Sequence, residues 1–569
     1  MLSTPENWAS APTRERAALE ILERLAMACL REGLLSGELE GRHLRLRGED
    51  GALLGLELDQ LFSMSRFDLA RLPVDLQELG PDRLFEWFLD HLLKPPEARR
   101  AALQVELNNS YLNMALSLQA LDTLGVGEPG RGELADWEAR VWCGHPLHPG
   151  ARLRSGLTVE ENKNYGPEWE ARLQLPMLKV PAACLAEVGS FTRRILSLFP
   201  SLGEVDEGWA LVPVHPWQAE NDLPTRFADR FESGELRFSG HTIPARPTMS
   251  FRSVVLESEV GGDFHLKLPV AVQTTGATRT VSVAATHNGP LMSRFLNQLF
   301  AHSDIIQTSL FDHLHLMAEP ASFYFRDDQS DRSRFLSGVL RRGPREKKGE
   351  GGRWLLPAAA LLEPRKNALF VRAAQYYGLT PRALFTRYCR CLLPAQAFLC
   401  GELGIALEAH PQNIVVDFRG MRGSAPDVHF WYRDLGGIRM HPERLGDALR
   451  RRGWRELEVP KFWPGSATST NSVRDLSSKF VYSLLQNHMG ELIRAICRSG
   501  EPEDDYWKVV YDLLEEHRPL MGQDLAERVF SPQWDLKAMW TMRLDSAITE
   551  YTFCPVKNPL IQGRDECPA

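Results

Sequence analysis

The spacing of apolar residues divides the first third of the chain into helices and one hairpin. In residues 14–35, Ala17, Leu22 and Leu25 recur at helical spacing, which predicts an amphipathic helix. In residues 43–59 apolar and polar positions alternate around a Glu-Asp-Gly turn, which predicts a β-hairpin. Helical periodicity returns over residues 81–125. We therefore expect a mainly helical N-terminal region.

The centre of the chain reads as strands. PTMSFRSVV (residues 247–255) and FHLKLPVAVQTTGATRTVS (residues 264–282) are both strand-like. In the second segment, the apolar residues at 266, 268, 270 and 272 share one face and Lys267 lies on the other. A polar, glycine-rich stretch, residues 340–354, then predicts an exposed loop.

Long helices are predicted over residues 366–402, and a strand pair is predicted around NIVVDF and HFWYRD. Mostly helical patterns follow to the end. The fold class is therefore predicted as α+β. Three regions are expected: a mainly helical one over 1–130, a central one with the strands over 131–345, and a largely helical one over 346–569.

Composition narrows the classes of function. The chain has 569 residues, 43% hydrophobic and 25% charged, with a net charge of −8, so a nucleic-acid partner has no general electrostatic support. The basic runs Arg341-Arg342 and 345–348 are interpreted as solvated loop. Nine cysteines without a CxxC motif indicate reduced thiols. With no signal pattern and no long apolar stretch, we expect a cytoplasmic protein without a membrane span.

The two central segments contain the strongest candidate anion site. Ser250 and Arg252 lie two apart, so they share a face if the segment is a strand. Lys267 is costly to bury without an anion, and together with Arg252 and Arg279 it could neutralise a triphosphate. Thr275 adds a hydroxyl donor. The alternative is that these are ordinary solvent-facing cations on an edge strand.

Histidines in His-Pro turns form a second candidate. His145 and His148 lie three apart, and His215 occurs in another His-Pro turn. The prolines prevent a helical pair, and no nearby cysteine or carboxylate completes a zinc site. Contact of His145 with an anion is favoured by Arg152 and Arg154, and a structural turn histidine is the alternative.

A third candidate lies downstream. Glu408, His410 and Asn413 stand just before an apolar strand, and Asp434 follows another strand, before Gly436-Gly437. Carboxylate oxygens from two places suit Mg²⁺, which also uses substrate phosphates as ligands. A solvated loop with a capping aspartate is the alternative.

The order of a strand lysine, a His/Asn loop and an Asp-Leu-Gly stretch is reminiscent of protein kinases. The kinase pattern requires an Asp two residues after the His and an Asn further on. Here position 412 is Gln, and Asn413 comes too early. GVGEPG (residues 125–130), far before Lys267, is a weak match to a nucleotide loop, and the chain contains no Walker A motif. A kinase-type base is therefore missing.

Taken together, these segments resemble the NRPS-independent siderophore synthetases of the IucA/IucC family. The matching pieces occur in the family's order over about residues 140–440, and VKNPL near the C-terminus also looks familial. They are GHPLHPGARLRSG, LVPVHPWQ, PTMSFRSV, KLPVAVQTTGATRTVS, EAHPQNIVV and YRDLGG.

The resemblance implies a cupped-hand fold of thumb, fingers and palm regions, and a homodimer. It also implies an ATP- and Mg²⁺-dependent ligase that adenylates citrate or a related carboxylate and joins it to an amine or alcohol. The nucleotide-contacting residues it implies are His145, Ser250, Arg252, Lys267, Thr275, Arg279, His410 and Asn413, of which Lys267, Arg279 and His410 are expected to be catalytic. Glu408 and Asp434 would hold Mg²⁺.

Two positions depart from the family pattern. Arg152 stands where lysine is usual, which keeps the charge but changes a contact that needs a compact ammonium. Ser253 stands where threonine is frequent, which is a milder difference. A kinase-like phosphotransferase and a non-catalytic carboxylate- or siderophore-binding protein remain the rival functions.

Overall fold

The amphipathic helix near the start of the chain runs Ala11–Arg31, and its first turn is capped by Ser10, whose hydroxyl accepts a hydrogen bond from the Thr13 amide at 3.3 Å. The computed structural model of the protein describes residues 9–73, 76, 79–327, 331–344, 352–545 and 552–562. The helix begins and ends a few residues before the predicted bounds, and its apolar face is buried.

Strands are numbered in chain order. They are β1 (Ser36–Glu40), β2 (His43–Arg47), β3 (Leu53–Phe62), β4 (Arg66–Leu69), β5 (Leu173–Pro181), β6 (Leu185–Val188), β7 (Trp209–Pro213), β8 (Arg237–Pro247), β9 (Ser253–Leu256), β10 (Phe264–Lys267), β11 (Val270–Thr274), β12 (Ala277–Arg279), β13 (Leu314–Leu316), β14 (Ala321–Phe325), β15 (Ser337–Arg342), β16 (Arg353–Pro357), β17 (Ile405–Ala406), β18 (Ile414–Arg419), β19 (Asp427–Tyr432), β20 (Arg439–Met440), β21 (Gln533–Lys537) and β22 (Phe553–Lys557).

The helices alternate with these strands. After the first they are Pro81–Trp87, Glu97–Leu124, Leu134–Glu138, Val159–Tyr165, Phe191–Leu198, Pro216–Asn221, Leu223–Arg226, Ala228–Glu232, Val283–Phe300, Ser303–Thr308, Leu369–Tyr376, Pro381–Gly401, Pro442–Arg452, Val473–Ser478, Gly490–Cys497, Glu503–Glu516, Arg518–Val529 and Met539–Leu544, with π-helical turns at Phe88–Leu93 and Lys479–Met489.

The central sheet is antiparallel and has the order β6-β14-β15-β10-β9-β8-β5-β7. A four-stranded sheet, β13-β19-β18-β16, combines antiparallel pairs with a parallel β13-β19 pair. The N-terminal strands β1 to β4 form an antiparallel meander, so the predicted hairpin of β2 and β3 is confirmed. The predicted pair around residues 413–434 is also confirmed, as β18 and β19.

Apolar side chains pack in three main clusters. One joins the first helix to the N-terminal meander and reaches Trp540, another lies against the central sheet, and the largest surrounds the helix Pro381–Gly401. Mixed helices with antiparallel sheets agree with the α+β prediction. Among the described residues no helix is both long and apolar enough to cross a membrane, and the described cysteines are free thiols.

Two expectations about the central strands are wrong. Ser250 and Arg252 lie in the turn between β8 and β9, not on one strand face. The apolar run from 266 to 272 is split at Pro269, so that Leu266 packs against the central sheet whereas Val270 packs in a separate cluster. A single apolar face therefore does not form, because the chain leaves the sheet between β10 and β11.

Two predicted solvent-facing positions are buried instead. Lys267 is only 8% exposed, since β10 lies inside the central sheet between β15 and β9, which excludes an edge strand. Arg341 belongs to β15 and is 3% exposed, with its guanidinium 2.8 Å from Glu319. The interpretation of Arg341 as solvated loop is therefore wrong; residues 345–348 lie outside the described residues.

Candidate active site

A cavity of about 410 Å³ collects most of the predicted site residues. Its walls come from the loop after residue 141, the turn between β8 and β9, the β11-β12 hairpin, the segment before β18 and several helices. Of the predicted residues, it is lined by His145, Ser250, Thr275, Arg279, Glu408 and His410. The other four, Arg252, Lys267, Asn413 and Asp434, do not line it. Arg252 and Asp434 interact through charge with lining residues, Asn413 donates to the Glu408 carbonyl, and Lys267 pairs with Asp434.

Arg279 is held by its own hairpin. Its Nη2 donates to the Thr275 hydroxyl at 3.0 Å, and its Nε donates to the Thr274 hydroxyl. The two strands of the hairpin are short and antiparallel, which brings residues 274 and 275 against the end of β12. The threonine hydroxyls predicted as donors to a ligand are therefore used to orient the guanidinium.

Arg252 and Arg279 carry like charges, and the charge of Asp434 acts on both without forming an ion pair with either. Arg252 donates to the carbonyl of Thr280, and among the described residues neither arginine forms an ion pair. Burial and then the charge of Arg252 lower the pKa of Arg279 to about 10. Half-buried cations are normally paired, so this excess of positive charge is suited to an anionic ligand.

Lys267 and Asp434 form an ion pair that joins the central sheet to the four-stranded sheet. Arg341 lies 3.8 Å from the same carboxylate oxygen, so two cations face one anion. Burial alone would raise the pKa of Asp434, but the charges of Lys267, Arg341 and Arg252 outweigh it and lower that pKa well below its usual value. Asp434 is therefore a carboxylate at neutral pH.

The segment before β18 holds the remaining predicted residues. Glu408 pairs with Lys479, and despite burial this charge lowers the pKa of Glu408. Asn413 donates to the backbone carbonyl of Glu408 at 3.3 Å, which closes the loop around His410. Burial lowers the pKa of His410, which keeps its imidazole neutral near pH 7. Asn413 is thus placed as a loop-shaping residue.

The three turn histidines are arranged differently from a metal site. The Nδ1 atoms of His145, His148 and His215 each accept a backbone amide hydrogen bond two residues on, at 3.2, 2.8 and 3.2 Å. His145 alone of the three lines the large cavity. Burial lowers the pKa of His145 well below its usual value. The turn-forming role is therefore confirmed for all three, and His145 presents a neutral ring to the cavity.

Arg152 and Arg154 share one buried carboxylate. Both contact Glu168, at 3.0 and 2.9 Å, and Arg152 also donates to the Ser117 hydroxyl at 2.9 Å. The arginine that replaces the usual lysine thus balances a buried carboxylate, and its planar fork reaches two acceptors at once.

Three residues at this site have strained backbone conformations. Phe251, Thr275 and Asp434 adopt positive φ angles of 66°, 52° and 69°, which non-glycine residues rarely do. Each of these residues stands beside or within the charged cluster. Such strain costs about 1–3 kcal/mol per residue and persists where the surrounding structure enforces it, which is typical of binding sites.

The carboxylates fit a divalent cation of the Mg²⁺ type. Asp434 uses Oδ1 for Lys267, and Glu408 uses Oε1 for Lys479. The other oxygen of Glu408 faces Gly437, where a side-chain Cβ would come within 2.7 Å of it. Glycine at 437 thus leaves room beside that oxygen. Hard carboxylate oxygens completed by phosphate oxygens and water are the usual Mg²⁺ ligands.

Several cavity residues had no sequence signal. Lys537 comes from the end of β21, and Glu20, Glu23 and Arg24 come from the first helix. Lys479, from a π-helical segment, lines a smaller neighbouring cavity. Smaller cavities of about 220 and 60 Å³ share Lys537 with the large one. A separate groove of about 550 Å³ contains none of the predicted residues; it is lined by parts of residues 473–481 and 524–535.

Glu363 provides a pH-dependent test of the cavity wall. It is buried, and burial together with the charge of Glu20 raises its pKa from 4.5 to about 7. A carboxyl group whose pKa rises on folding destabilises the folded state progressively as the pH rises from its pKa in the unfolded state to its pKa in the folded state. We expect Glu363→Gln to remove this pH dependence and to raise the free energy of unfolding at pH 8 by about 3 kcal/mol at most.

Urea denaturation of both proteins at pH 5 and pH 8 measures this effect. The Gln amide oxygen can still accept the hydrogen bond that the Cys143 amide donates at 3.1 Å, so the substitution preserves that contact. Glu204→Gln, at an exposed position, is the matched control and should change neither value. Equal pH dependence in Glu363→Gln and the parent protein would contradict the assignment.

Comparison with solved structures identifies proteins that share the fold of this chain. The ATP-bound aerobactin synthetase IucA of Klebsiella pneumoniae superposes with a TM-score of 0.76 at 21% identity, covering 96% of this chain and 99% of that one. The petrobactin biosynthesis protein AsbB of Bacillus anthracis gives 0.77 at 16% identity, covering 98% and 97%. The chain therefore has the fold of these siderophore synthetases.

Two family models match the sequence. Residues 133–363 match the model of the IucA / IucC family. Residues 382–551 match a model described as ferric iron reductase FhuF-like transporter. D-ornithine--citrate ligase of Staphylococcus aureus is 27% identical over 82% of this chain and 78% of its own length, and staphyloferrin A synthase of the same organism is 27% identical over 74% and 72%.

Proposed function

We propose that this protein is an ATP-dependent siderophore synthetase that activates citrate or a related carboxylate and joins it to an amine or an alcohol. Curated relatives named as citrate ligases and siderophore synthases support the ligase class and the citrate-like acid. The adenylation route, the nucleotide and Mg²⁺ are part of the proposal.

The surplus positive charge of Arg252 and Arg279 is the observation that carries the proposal. The two guanidinium groups are neighbours without an ion-pair partner among the described residues, and Arg279 lines the cavity. Two anions, a nucleoside triphosphate and a carboxylate, must approach each other in such a reaction. Cations fixed before the reaction lower this repulsion without reorganisation.

The first step would be attack of a substrate carboxylate oxygen on the α-phosphorus of ATP. A new P–O bond forms, the bond to the leaving pyrophosphate breaks, and an acyl-adenylate results. Arg252, Lys267 and Arg279 would stabilise the charge that develops on the phosphate oxygens, while the Ser250 hydroxyl and the Thr275 segment position them. The carboxylate is ionised at neutral pH, so no strong protein base is required.

In the second step the neutral amine or alcohol would attack the acyl carbon, AMP would leave with the bonding electrons, and the nucleophile would lose a proton. His145 and His410, both neutral near pH 7, would face this region as hydrogen-bonding groups without adding charge. Mg²⁺ held by Glu408 and Asp434 would neutralise phosphate charge when bound.

A trapping assay tests the proposal without knowledge of the natural nucleophile. The protein is incubated with ATP, Mg²⁺ and one carboxylate at a time (citrate, succinate or 2-oxoglutarate), with hydroxylamine as the nucleophile. We expect a hydroxamate together with equal amounts of AMP and pyrophosphate. Formation of ADP would instead support a phosphotransferase, and citrate binding without nucleotide turnover would support a non-catalytic binding protein.

The homodimer and the cytoplasmic location remain predictions. Light scattering coupled to size-exclusion chromatography measures the oligomeric state, because a dimer of the 64.3 kDa chain has twice that mass.

A further inference from the structure

A cluster of histidines lies on the four-stranded sheet, away from the cavity. His313 directly precedes β13, and Asp427 and His429 lie two apart on β19, so the latter two share a face. The parallel pairing sets Leu314 opposite Phe430, which brings His313 beside His429. One ligand atom from each of His313, Asp427 and His429 lies within 4.8 Å of the others.

Asp427 hydrogen-bonds His429 in this arrangement, and the separations among the three groups bracket those between the ligands of a small ion. Asp427 Oδ2 lies 2.8 Å from His429 Nε2, and Asp427 Oδ1 lies 3.5 Å from His313 Nδ1. Ligands of a tetrahedral zinc ion at about 2.0–2.1 Å are separated by about 3.3 Å. A small movement of the exposed Asp427 side chain would satisfy that spacing for both rings.

The protein environment prepares both rings as ligands. The buried Nδ1 of His313 has no hydrogen-bond partner among the described residues, which leaves this nitrogen available. The second nitrogen of His429, Nδ1, is 3.0 Å from Nε2 of His315. Histidine ligands commonly use their other ring nitrogen in this way, and the contact fixes the orientation of the ring.

We propose that His313, Asp427 and His429 form a binding site for a divalent transition-metal ion of the Zn²⁺ type, oriented by His315 and with a fourth position for water or an outside ligand. Imidazole with one carboxylate suits Zn²⁺ and similar borderline ions, whereas Mg²⁺ prefers a shell of oxygens. Asp417 is not a ligand candidate, because Arg353, Arg419 and Trp431 already occupy its oxygens.

This site is separate from the proposed nucleotide site. Asp427 starts β19, whereas Asp434 follows its other end, and seven extended residues span about 20 Å. A metal here would tie β13 to β19, the strand that leads to Asp434. Substitutions at the cluster therefore test the metal site without touching the cavity.

The test uses the full chain, purified without a histidine tag and stripped with a chelator that is then removed. Zn²⁺ is titrated in competition with a chromogenic chelator. We expect one equivalent to bind, with affinity at least tenfold weaker in His313→Ala and in Asp427→Asn, and about tenfold weaker in His315→Ala, which removes only the orienting contact. His241→Ala, at an exposed strand position, should bind like the parent protein.

Co²⁺ gives an independent readout. Tetrahedral Co²⁺ has strong visible absorption, so the parent protein loaded with Co²⁺ should show these bands, and His313→Ala and Asp427→Asn should lack them. Circular dichroism confirms that each variant is folded. The proposal is overturned if the parent protein shows no saturable Zn²⁺ binding, or if the variants bind Zn²⁺ as tightly as the parent protein does.

Discussion

Replacing Arg279 by alanine is expected to slow adenylation by about 10²–10³-fold, the usual cost of removing one preorganised charge-stabilising group. Arg279 lines the cavity and has its guanidinium directed by Thr274 and Thr275, so no rearrangement is needed for it to meet a phosphate. Pyrophosphate release with a saturating carboxylate measures the effect.

Arg279→Lys tests whether the charge or the planar shape of the guanidinium matters, and Arg172→Ala is the control. Arg279→Lys keeps the charge but loses the planar fork held by two hydroxyls, so its rate should fall between those of the parent protein and Arg279→Ala. Arg172→Ala removes an exposed arginine that pairs with Glu257, and it should leave the rate unchanged. Near-normal adenylation by Arg279→Ala would refute the site assignment.

Replacing Asp68 by alanine is expected to lower the free energy of unfolding by about 3–5 kcal/mol, because it removes a buried carboxylate that three arginines share. Asp68 is 2% exposed and contacts Arg494, Arg498 at 2.6 Å and Arg365 at 3.2 Å. Although burial opposes ionisation, these arginines lower the pKa of Asp68 well below its usual value. The carboxylate is therefore charged in the folded protein.

Urea denaturation at pH 7 measures this loss, followed by fluorescence and by circular dichroism. Asp59→Ala, at an exposed position on β3, is the matched control and should change the free energy of unfolding by no more than about 0.5 kcal/mol. Equal denaturation midpoints for the two variants would show that the arginines find other partners and that the network does not depend on Asp68.

The sequence was sufficient for features that depend on local pattern. Alternation identified the hairpin of β2 and β3 and the pair β18-β19, and His-Pro spacing identified the turns at His145 and His215. These outcomes depend on residues close together in the chain, where periodicity and proline geometry act directly.

Long-range pairing could not be predicted in the same way. Lys267 meets Asp434 across 167 positions, and Lys479 meets Glu408 across 71. The basic residues around Arg341 predict a solvated loop. Arg341 is buried instead, because β15 pairs with β10 and β14 inside the central sheet. The pairing of strands determines which side chains are buried, and the sequence alone does not show which strands pair.

Part of the cavity wall comes from outside both matched regions. Glu20, Glu23 and Arg24 of the first helix line it, and Glu23 meets Arg494 at 2.8 Å, whereas the matched regions span 133–363 and 382–551. A fragment limited to those regions would expose the apolar surface that the first helix covers. It would also lack the carboxylates that pair with several guanidinium groups. For expression and crystallisation, the first seventy residues thus belong to the minimal folding unit, and sequence-family limits are poor guides to where the chain can be cut.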